Sequence, residues 1–457
     1  MTLLKAQTRT SSGEGVGFKS WWLVAVLFFL YVFSWVDRLI IAMLVSPIKA
    51  DLGLTDFQMS LILGPAFAIC YSLFGLPMGW AVDRYPRRWV IFFGVTVWSL
   101  ATMAAGFARS FATLMLGRIG VGMGEAALMP AAYSLIADEF PKRKLMFATS
   151  VYQMGGKIGS AVAFGLGGLI IAFAESLGQV SWPLVGVLEP WQMVLMMVGA
   201  PGIAFAALVF TFSEPTRKGL ATAKAVGKDG REMGHLRAFA GQNWQLLLAM
   251  MIGFSAIAIC GFSLTSWVPE YISRTFHWPP AKYGPALSAM NLLAALTLLF
   301  NGKIVDWLYA RGMKDAHLRF YVCLIAALLP AAAMLFVVDN RYVFLGLYGV
   351  VQIVTVPFIL YVSAVSAMLA PNEIRGQLIA IALFITTNMG MGFGPVFVGF
   401  ITDFIFQDEG KLGVSLGIVV TSSFVVAMLS LAVALRYLKP AIERSEQRQA
   451  DQAGAQL

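Results

Sequence analysis

The sequence predicts an all-α polytopic membrane protein, with twelve transmembrane helices in two pseudo-symmetric six-helix bundles. Three observations predict it. Of 457 residues, 59% are apolar and only 12% charged, and the mean hydropathy is +0.76. A soluble domain carries about twice that charged fraction, so this chain lacks the polar groups to cover a water-facing surface. Apolar runs of the ~20 residues needed to cross a bilayer recur at 21–45, 58–81, 89–107, 111–137, 146–173, 191–213, 244–272, 283–305, 318–338, 342–369, 376–401 and 413–436. The longest interior polar stretch, Glu214 to Asn243, follows the sixth run and divides the chain evenly. The alternation that a membrane barrel requires is absent.

The first run, Trp21 to Val45, is too long for the apolar core of a secretory signal and reads as a span. The expected organisation is a cytoplasmic tail (1–20), an N-terminal bundle (21–213), a flexible cytoplasmic linker (214–243), a C-terminal bundle (244–437) and a second cytoplasmic tail (438–457). Sorting Lys and Arg along this topology puts 24 on the side of both termini, 6 on the opposite side and 3 at membrane depth. The positive-inside bias then makes both termini cytoplasmic, in the cell's inner membrane. The same bias accounts for the net charge of +9 without a nucleic-acid partner.

Cys70, Cys260 and Cys323 lie in apolar runs without metal or disulfide spacing and read as small buried apolar residues. His235, His277 and His317 fall near loops, again without ligand spacing, so no metal or cofactor is expected. A phosphate-binding Gly-x-x-x-x-Gly-Lys-Ser/Thr loop is missing, since Gly156-Lys157 is followed by Ile158 inside a span. Enzyme and ATP-driven pump are therefore not expected. The charge ring that many pores use is missing too.

The halves echo each other. Gly79-Trp-Ala-Val-Asp83-Arg84-Tyr-Pro-Arg87-Arg88 follows the second run, and Gly302-Lys-Ile-Val-Asp306-Trp-Leu-Tyr-Ala-Arg311 follows the eighth. Phe140-Pro141-Lys142-Arg143 before the fifth run corresponds to Ala370-Pro371-Asn372-Glu373-Ile374-Arg375 before the eleventh. Paired six-helix halves are the sequence sign of a carrier that rocks about a central site.

On these residues the chain resembles the major facilitator superfamily over about 20–437. Gly79…Asp83-Arg84…Arg87-Arg88 is similar to that family's signature between helices two and three, and Arg118 with Gly122 to its helix-four Arg-x-x-x-Gly motif. Val36-Asp37-Arg38, Gly79…Asp83-Arg84-Tyr85 and Gly122-Met-Gly124-Glu125-Ala126 resemble the spinster-like branch. That resemblance implies lipid cargo of the sphingosine-1-phosphate or lysophospholipid kind. The Asp37-Arg38 pair is also similar to organic anion:proton symporters.

Lacking a Cβ, Gly79 lets helices approach closely, and Asp83 then lies where it can meet a neighbouring helix N-terminus, expected near Asn372. With Arg84, Arg87, Arg88 and, in the second half, Asp306, it forms an expected cytoplasmic gate. The glycines of the fifth run, Gly155, Gly156 and Gly159, are expected to give a low-friction contact between the halves.

Charges at membrane depth are costly and mark function. Five fall there, Asp37, Arg38, Arg118, Glu125 and Lys157, all in the first half. Arg118 and Glu125 are seven residues apart, about two turns or ~10.5 Å along one helix face. Asp37 and Arg38 point ~100° apart, so one can meet helix four while the other faces the cavity. Burial raises a carboxylate pKa and a nearby Arg lowers it, which suits Asp37 and Glu125 to proton coupling. Arg38, Arg118, Lys157 and Tyr152 are expected to bind substrate, with Asn291, Thr355 and Asn388 on a more apolar opposite wall. Thr386 and Thr387 add isolated polar groups there, and Tyr31 and Trp35 shape the cavity.

The sequence thus reads as a monomeric secondary-active transporter, moving an amphipathic, anionic lipid or lysolipid by proton-linked alternating access among membrane lipids. The alternative reading is a proton-coupled symporter of a small organic anion.

Overall fold

The protein's structure, a computed structural model, describes residues 17–183, 186–217, 231–371 and 374–454. It contains twelve helices long and apolar enough to cross a membrane. Helices 1 to 6 are Phe18–Met43, Asp56–Arg84, Arg87–Ala105, Phe111–Glu139, Arg143–Leu177 and Pro190–Thr211. Helices 7 to 12 are Trp244–Phe276, Pro280–Ala310, Ala316–Met334, Arg341–Leu369, Arg375–Phe406 and Glu409–Arg444. We call the end of the bundle that carries both termini the near side and the opposite end the far side.

Local sequence explains where these helices start and bend. Thr55 with Gln58 and Ser110 with Thr113 form reciprocal capping boxes at helices 2 and 4, which satisfy amides that have no partner in the first turn. Asn340 accepts from the amides of Tyr342 and Val343 at the start of helix 10. Helix 2 breaks at Gly64-Pro65, because proline has no amide to continue the ladder. Helices 4 and 10 break at matching places: Phe111–Glu125 is followed by Leu128–Glu139, and Arg341–Thr355 by Phe358–Leu369. The internal repeat therefore extends to the bends, and Glu125 has Thr355 as its counterpart.

The halves meet at the far side and separate toward the near side. Helix 5 presses on helix 8, where a methyl group added at Gly284 would lie against the carbonyl of Phe164 and one at Gly168 against that of Pro280. Helix 2 meets helix 11, with the Gly64 position 2.8 Å from the carbonyl oxygen of Met391 and Ser72 donating to Asn388. Nearer the termini, methyl groups added at Gly75, Gly79, Gly302 and Gly376 would meet nothing within 4 Å.

Several expectations are corrected. Gly79 is not at a close helix approach in this conformation, because its end of the cleft is open. Asn372 lies outside the described residues. Gly155, Gly156 and Gly159 do not join the halves: they pack on Phe28, Tyr31, Val32 and Trp35 of helix 1, in the same bundle. Cys323 is exposed rather than buried. In the linker, residues 218–230 lie outside the described part, while Arg231–Gln242 is helical. The last helix runs on through the expected tail to Gly454, and a short hairpin, β1 (Val180–Trp182) and β2 (Gly186–Leu188), joins helices 5 and 6.

Gly124 tests the packing of helix 4. A methyl group there would fall 2.6 Å from both the carbonyl oxygen of Gly94 and the amide of Trp98 on helix 3. Overpacking of this kind costs about 1–3 kcal/mol. Gly124→Ala should lower the thermal midpoint in detergent, whereas Gly79→Ala should leave it unchanged.

Candidate functional site: a charged cluster in the first half

The cluster grows from two adjacent residues at the inner end of helix 1. Asp37 turns to helix 3 and accepts a 2.6 Å hydrogen bond from Thr102. Arg38 turns to helix 4 and pairs with Glu125. The ambiguity in the sequence resolves this way because Glu125 is the last residue before the helix 4 bend. Asp37 and Glu125 are both buried, and the Arg38 side chain retains 13% exposure. Each carboxylate keeps one oxygen without a hydrogen bond among the described residues, Oδ2 of Asp37 and Oε1 of Glu125.

Aromatic faces surround the guanidinium. Its carbon lies 4.4 Å from the ring centroid of Phe67, 4.9 Å from that of Trp35 and 5.6 Å from that of Tyr71. Cation–π attraction strengthens when water is excluded, so Arg38 stays charged and oriented even where it is only partly paired. Tyr152 stacks on Tyr31 at 4.9 Å and meets Tyr133 edge-on at 5.8 Å. Among the described residues, the Tyr152 hydroxyl and Arg38 Nε have no hydrogen-bond partner, while the Trp35 side chain interacts with the Tyr31 hydroxyl.

Arg118, expected on the cavity wall, is buried and donates to backbone instead, to the carbonyl of Ile62 at 3.4 Å and that of Arg38 at 3.3 Å. Ile62 is next to the break in helix 2, where carbonyls lose their in-helix partners. Arg118 therefore positions helices 1 and 2 around the cluster.

Lys157 has no carboxylate partner among the described residues and is half-buried. It lies seven and eight residues before Phe164 and Gly165, which touch helix 8 at Gly284 and Ser288. That spacing is two turns on one stripe. Lys157 thus occupies the helix 5 face that meets helix 8, at the level where the two helices part. Helix 8 runs the opposite way, and Asn291 follows Ser288 at the corresponding depth.

The polar residues expected on the second half's wall make bonds within the protein. Thr355 donates to Gln352, and Gln352 donates to the Tyr348 hydroxyl at 2.9 Å. Asn291 donates to the Leu287 carbonyl at 2.9 Å, and Asn388 to that of Phe384 at 2.8 Å while accepting from Ser72. Thr386 donates to the Ala382 carbonyl at 2.8 Å. Residues expected as substrate ligands there satisfy one another or the backbone.

The expected gate residues divide. Arg87 is fully buried within the first half, paired with Asp138 on helix 4 and with Glu214 at 3.2 Å, and it donates to the Pro215 carbonyl at 2.7 Å. Arg88 reaches the Phe212 carbonyl at 3.0 Å. Asp83, Arg84 and Asp306 are exposed, with Arg84 stacked 4.3 Å from the Trp80 ring centroid. Sequence reasoning missed Arg217, which donates to the carbonyls of Val82, Asp83 and Tyr85 and so caps helix 2. It also missed Thr102. A lone threonine in an apolar run gives no sequence signal of the carboxylate that it meets on another helix.

A sequence profile described as Major Facilitator Superfamily matches residues 27–395. An MFS-type efflux pump of Mycolicibacterium smegmatis is 29% identical over 93% of this chain and 95% of its own length. The hexuronate transporter of Bacillus subtilis is 24% identical over 92% of this chain and 94% of its own length. A bacterial homolog of the human lysosomal transporter Spinster, solved inward-facing and occupied, matches with a TM-score of 0.74 at 22% identity, over 94% of this chain and 98% of that one.

Arg87 and Arg84 separate a structural role from a surface one. Removing one partner of a buried ion pair costs about 3–5 kcal/mol, so Arg87→Ala, which removes the guanidinium shared by Asp138, Glu214 and the Pro215 carbonyl, should lower the thermal midpoint sharply. Arg84→Ala loses a surface stacking contact and should shift it little.

Proposed function

Because the chain belongs to the Major Facilitator Superfamily, we propose that it is a secondary-active transporter of an anionic amphipath, a lipid or lysolipid, with movement linked to protons. The twelve-span fold is that of a multi-pass membrane transporter. The Lys and Arg bias supports cytoplasmic termini, and on that orientation the cleft opens to the cytoplasm.

One observation carries the reading. The unpartnered cation Lys157 and the unbonded Tyr152 hydroxyl lie in the first half, whereas Asn291, Thr355, Thr386 and Asn388 of the second half are bonded to side chains or backbone of their own half. An anionic head fits the first wall and an apolar tail the second. When an anion approaches Arg38 it competes with Glu125 for the guanidinium. A buried carboxylate that has lost its partner is costly as an anion, and a proton relieves that cost. Asp37, adjacent to Arg38 and held by Thr102 of helix 3, senses the same change in charge. Gly79, Asp83, Arg84, Arg88 and Asp306 belong to this proposal as the near-side gate that closes when the halves rock the other way, with Arg87 bracing the first half behind them.

A second reading, proton-coupled symport of a small organic anion, is favoured by the likeness to the hexuronate transporter. The two readings share the head-group site and differ in the tail.

Transport in proteoliposomes with and without an imposed pH gradient tests the coupling. Glu125→Gln and Asp37→Asn should each lose gradient-driven uptake by about tenfold or more, the effect of removing one 1.4 kcal/mol coupling term, while exchange without a gradient persists. Full gradient dependence in both variants overturns the assignment. A thermal shift with a lysophospholipid but not with a hexuronate supports the amphipath, and the reverse result supports the second reading.

A further inference from the structure

A second set of buried charges lies at the far side, remote from the cluster around Arg38. Asp56, at the start of helix 2, is 0% exposed, and Lys49, in the short helix Val45–Leu52 that follows helix 1, is nearly so. Glu270 is buried and Arg274 largely covered, one turn apart at the end of helix 7. The first two residues belong to the N-terminal half and the second two to the C-terminal half.

They are bonded in two ways at once. Across the interface, Arg274 clasps Asp56 with both terminal nitrogens, at 2.8 and 2.7 Å. Glu270 accepts from the amide of Ser46 at 3.0 Å and from its hydroxyl at 2.6 Å. Lys49 reaches Glu409 of helix 12 at 2.9 Å, but that carboxylate is 61% exposed and the pair is screened. Within each half, Lys49 also pairs with Asp56, and Arg274 with Glu270.

We propose that these residues form an exchangeable latch that holds the far side shut, in which each half carries its own cation and anion and pairs them internally when the halves part. Stranding a buried charge is strongly unfavourable, and a latch made of one cation facing one anion would strand both on opening. Here opening breaks the Arg274–Asp56 clasp, the Ser46–Glu270 bonds, the exposed Lys49–Glu409 pair and the Asp403 cap on Phe57. Lys49 stays on Asp56, and Arg274 stays on Glu270. The latch is therefore strong enough to set the closed state and cheap enough to release in every cycle.

The neighbouring contact follows the same rule. Asp403, in the π-helical turn Ile401–Phe406 that ends helix 11, accepts from the Phe57 amide at 2.6 Å. A carboxylate of one half thus caps a helix of the other, where the helix dipole favours an anion. When Asp403 leaves, helix 2 still has its own cap, Thr55, which accepts from the Gln58 amide at 3.2 Å. Asp56 and Arg274 act as positioning residues for the conformational equilibrium. The inference rests on the alternating-access part of the proposed function and not on its cargo or its protons.

The test uses detergent-solubilised full-length protein with Cys70, Cys260 and Cys323 changed to Ala, no substrate and constant pH. Ser60→Cys reports on the far side, since Ser60 is buried against Gly399 of helix 11, whose added methyl would lie 2.9 Å from it. Gly79→Cys, built separately, reports on the open near side. Asp56→Asn and Arg274→Gln should each speed maleimide labelling of the Ser60→Cys thiol by about tenfold and slow that of the Gly79→Cys thiol, as a two-state shift requires. Glu409→Gln should change either rate by less than about twofold, the scale of an exposed ion pair. Unchanged labelling at the Ser60→Cys thiol overturns the latch. So does faster labelling at both positions, which signals loosening of the fold instead of a shift between states. Because no cargo or gradient is present, failure of the transport proposal leaves this outcome unaffected.

Discussion

The cost of an uncompensated charge in an apolar interior shapes this molecule from end to end. Arg38 is the clearest case. Its guanidinium sits between helices at membrane depth, and three aromatic faces and Glu125 are arranged to receive it. Arg118 obeys the same constraint with neutral partners, since the carbonyls of Ile62 and Arg38 are ones that a helix break and a helix end leave short of donors. Arg87 obeys it near the termini, where one buried side chain gathers helix 4 and the segment after helix 6 around the start of helix 3.

A repeated architecture with an unrepeated charge pattern gives the protein its polarity. Helices 4 and 10 share segment lengths and bends, yet the position that holds Glu125 in one holds Thr355 in the other. Thr355 is absorbed by Gln352 and Tyr348, whereas Glu125 faces Arg38 and keeps one oxygen unbonded among the described residues. The first half thus holds a charged pair at membrane depth where the second half holds a neutral hydrogen-bonded set. Two scaffolds of the same shape can rock as rigid bodies.

The glycines show how local sequence and assembly divide the work. Gly155, Gly156 and Gly159 look like an interface stripe, and they are one, but the partner is helix 1 of their own bundle. The contact between halves uses Gly168 and Gly284 farther along the same pair of helices. Sequence spacing tells which face of a helix is thin. It carries no information about which neighbour fills the space, because that depends on how six helices are ordered around a centre.

What the sequence determined by itself was the set of spans, their division into two halves, and the five charges that the apolar runs could not explain. Each follows from a one-dimensional quantity: run length against bilayer thickness, the spacing of a repeat, or the expense of one ion in lipid. Only the tertiary structure decided that Asp37 belongs to Thr102 and Arg38 to Glu125, that Arg118 holds backbone, and that Lys49, Asp56, Glu270 and Arg274 form a second buried set. Those pairings join residues up to 218 positions apart. A charge at the end of an apolar run looks solvated in sequence, and only the arrival of another helix end over it shows that it is not.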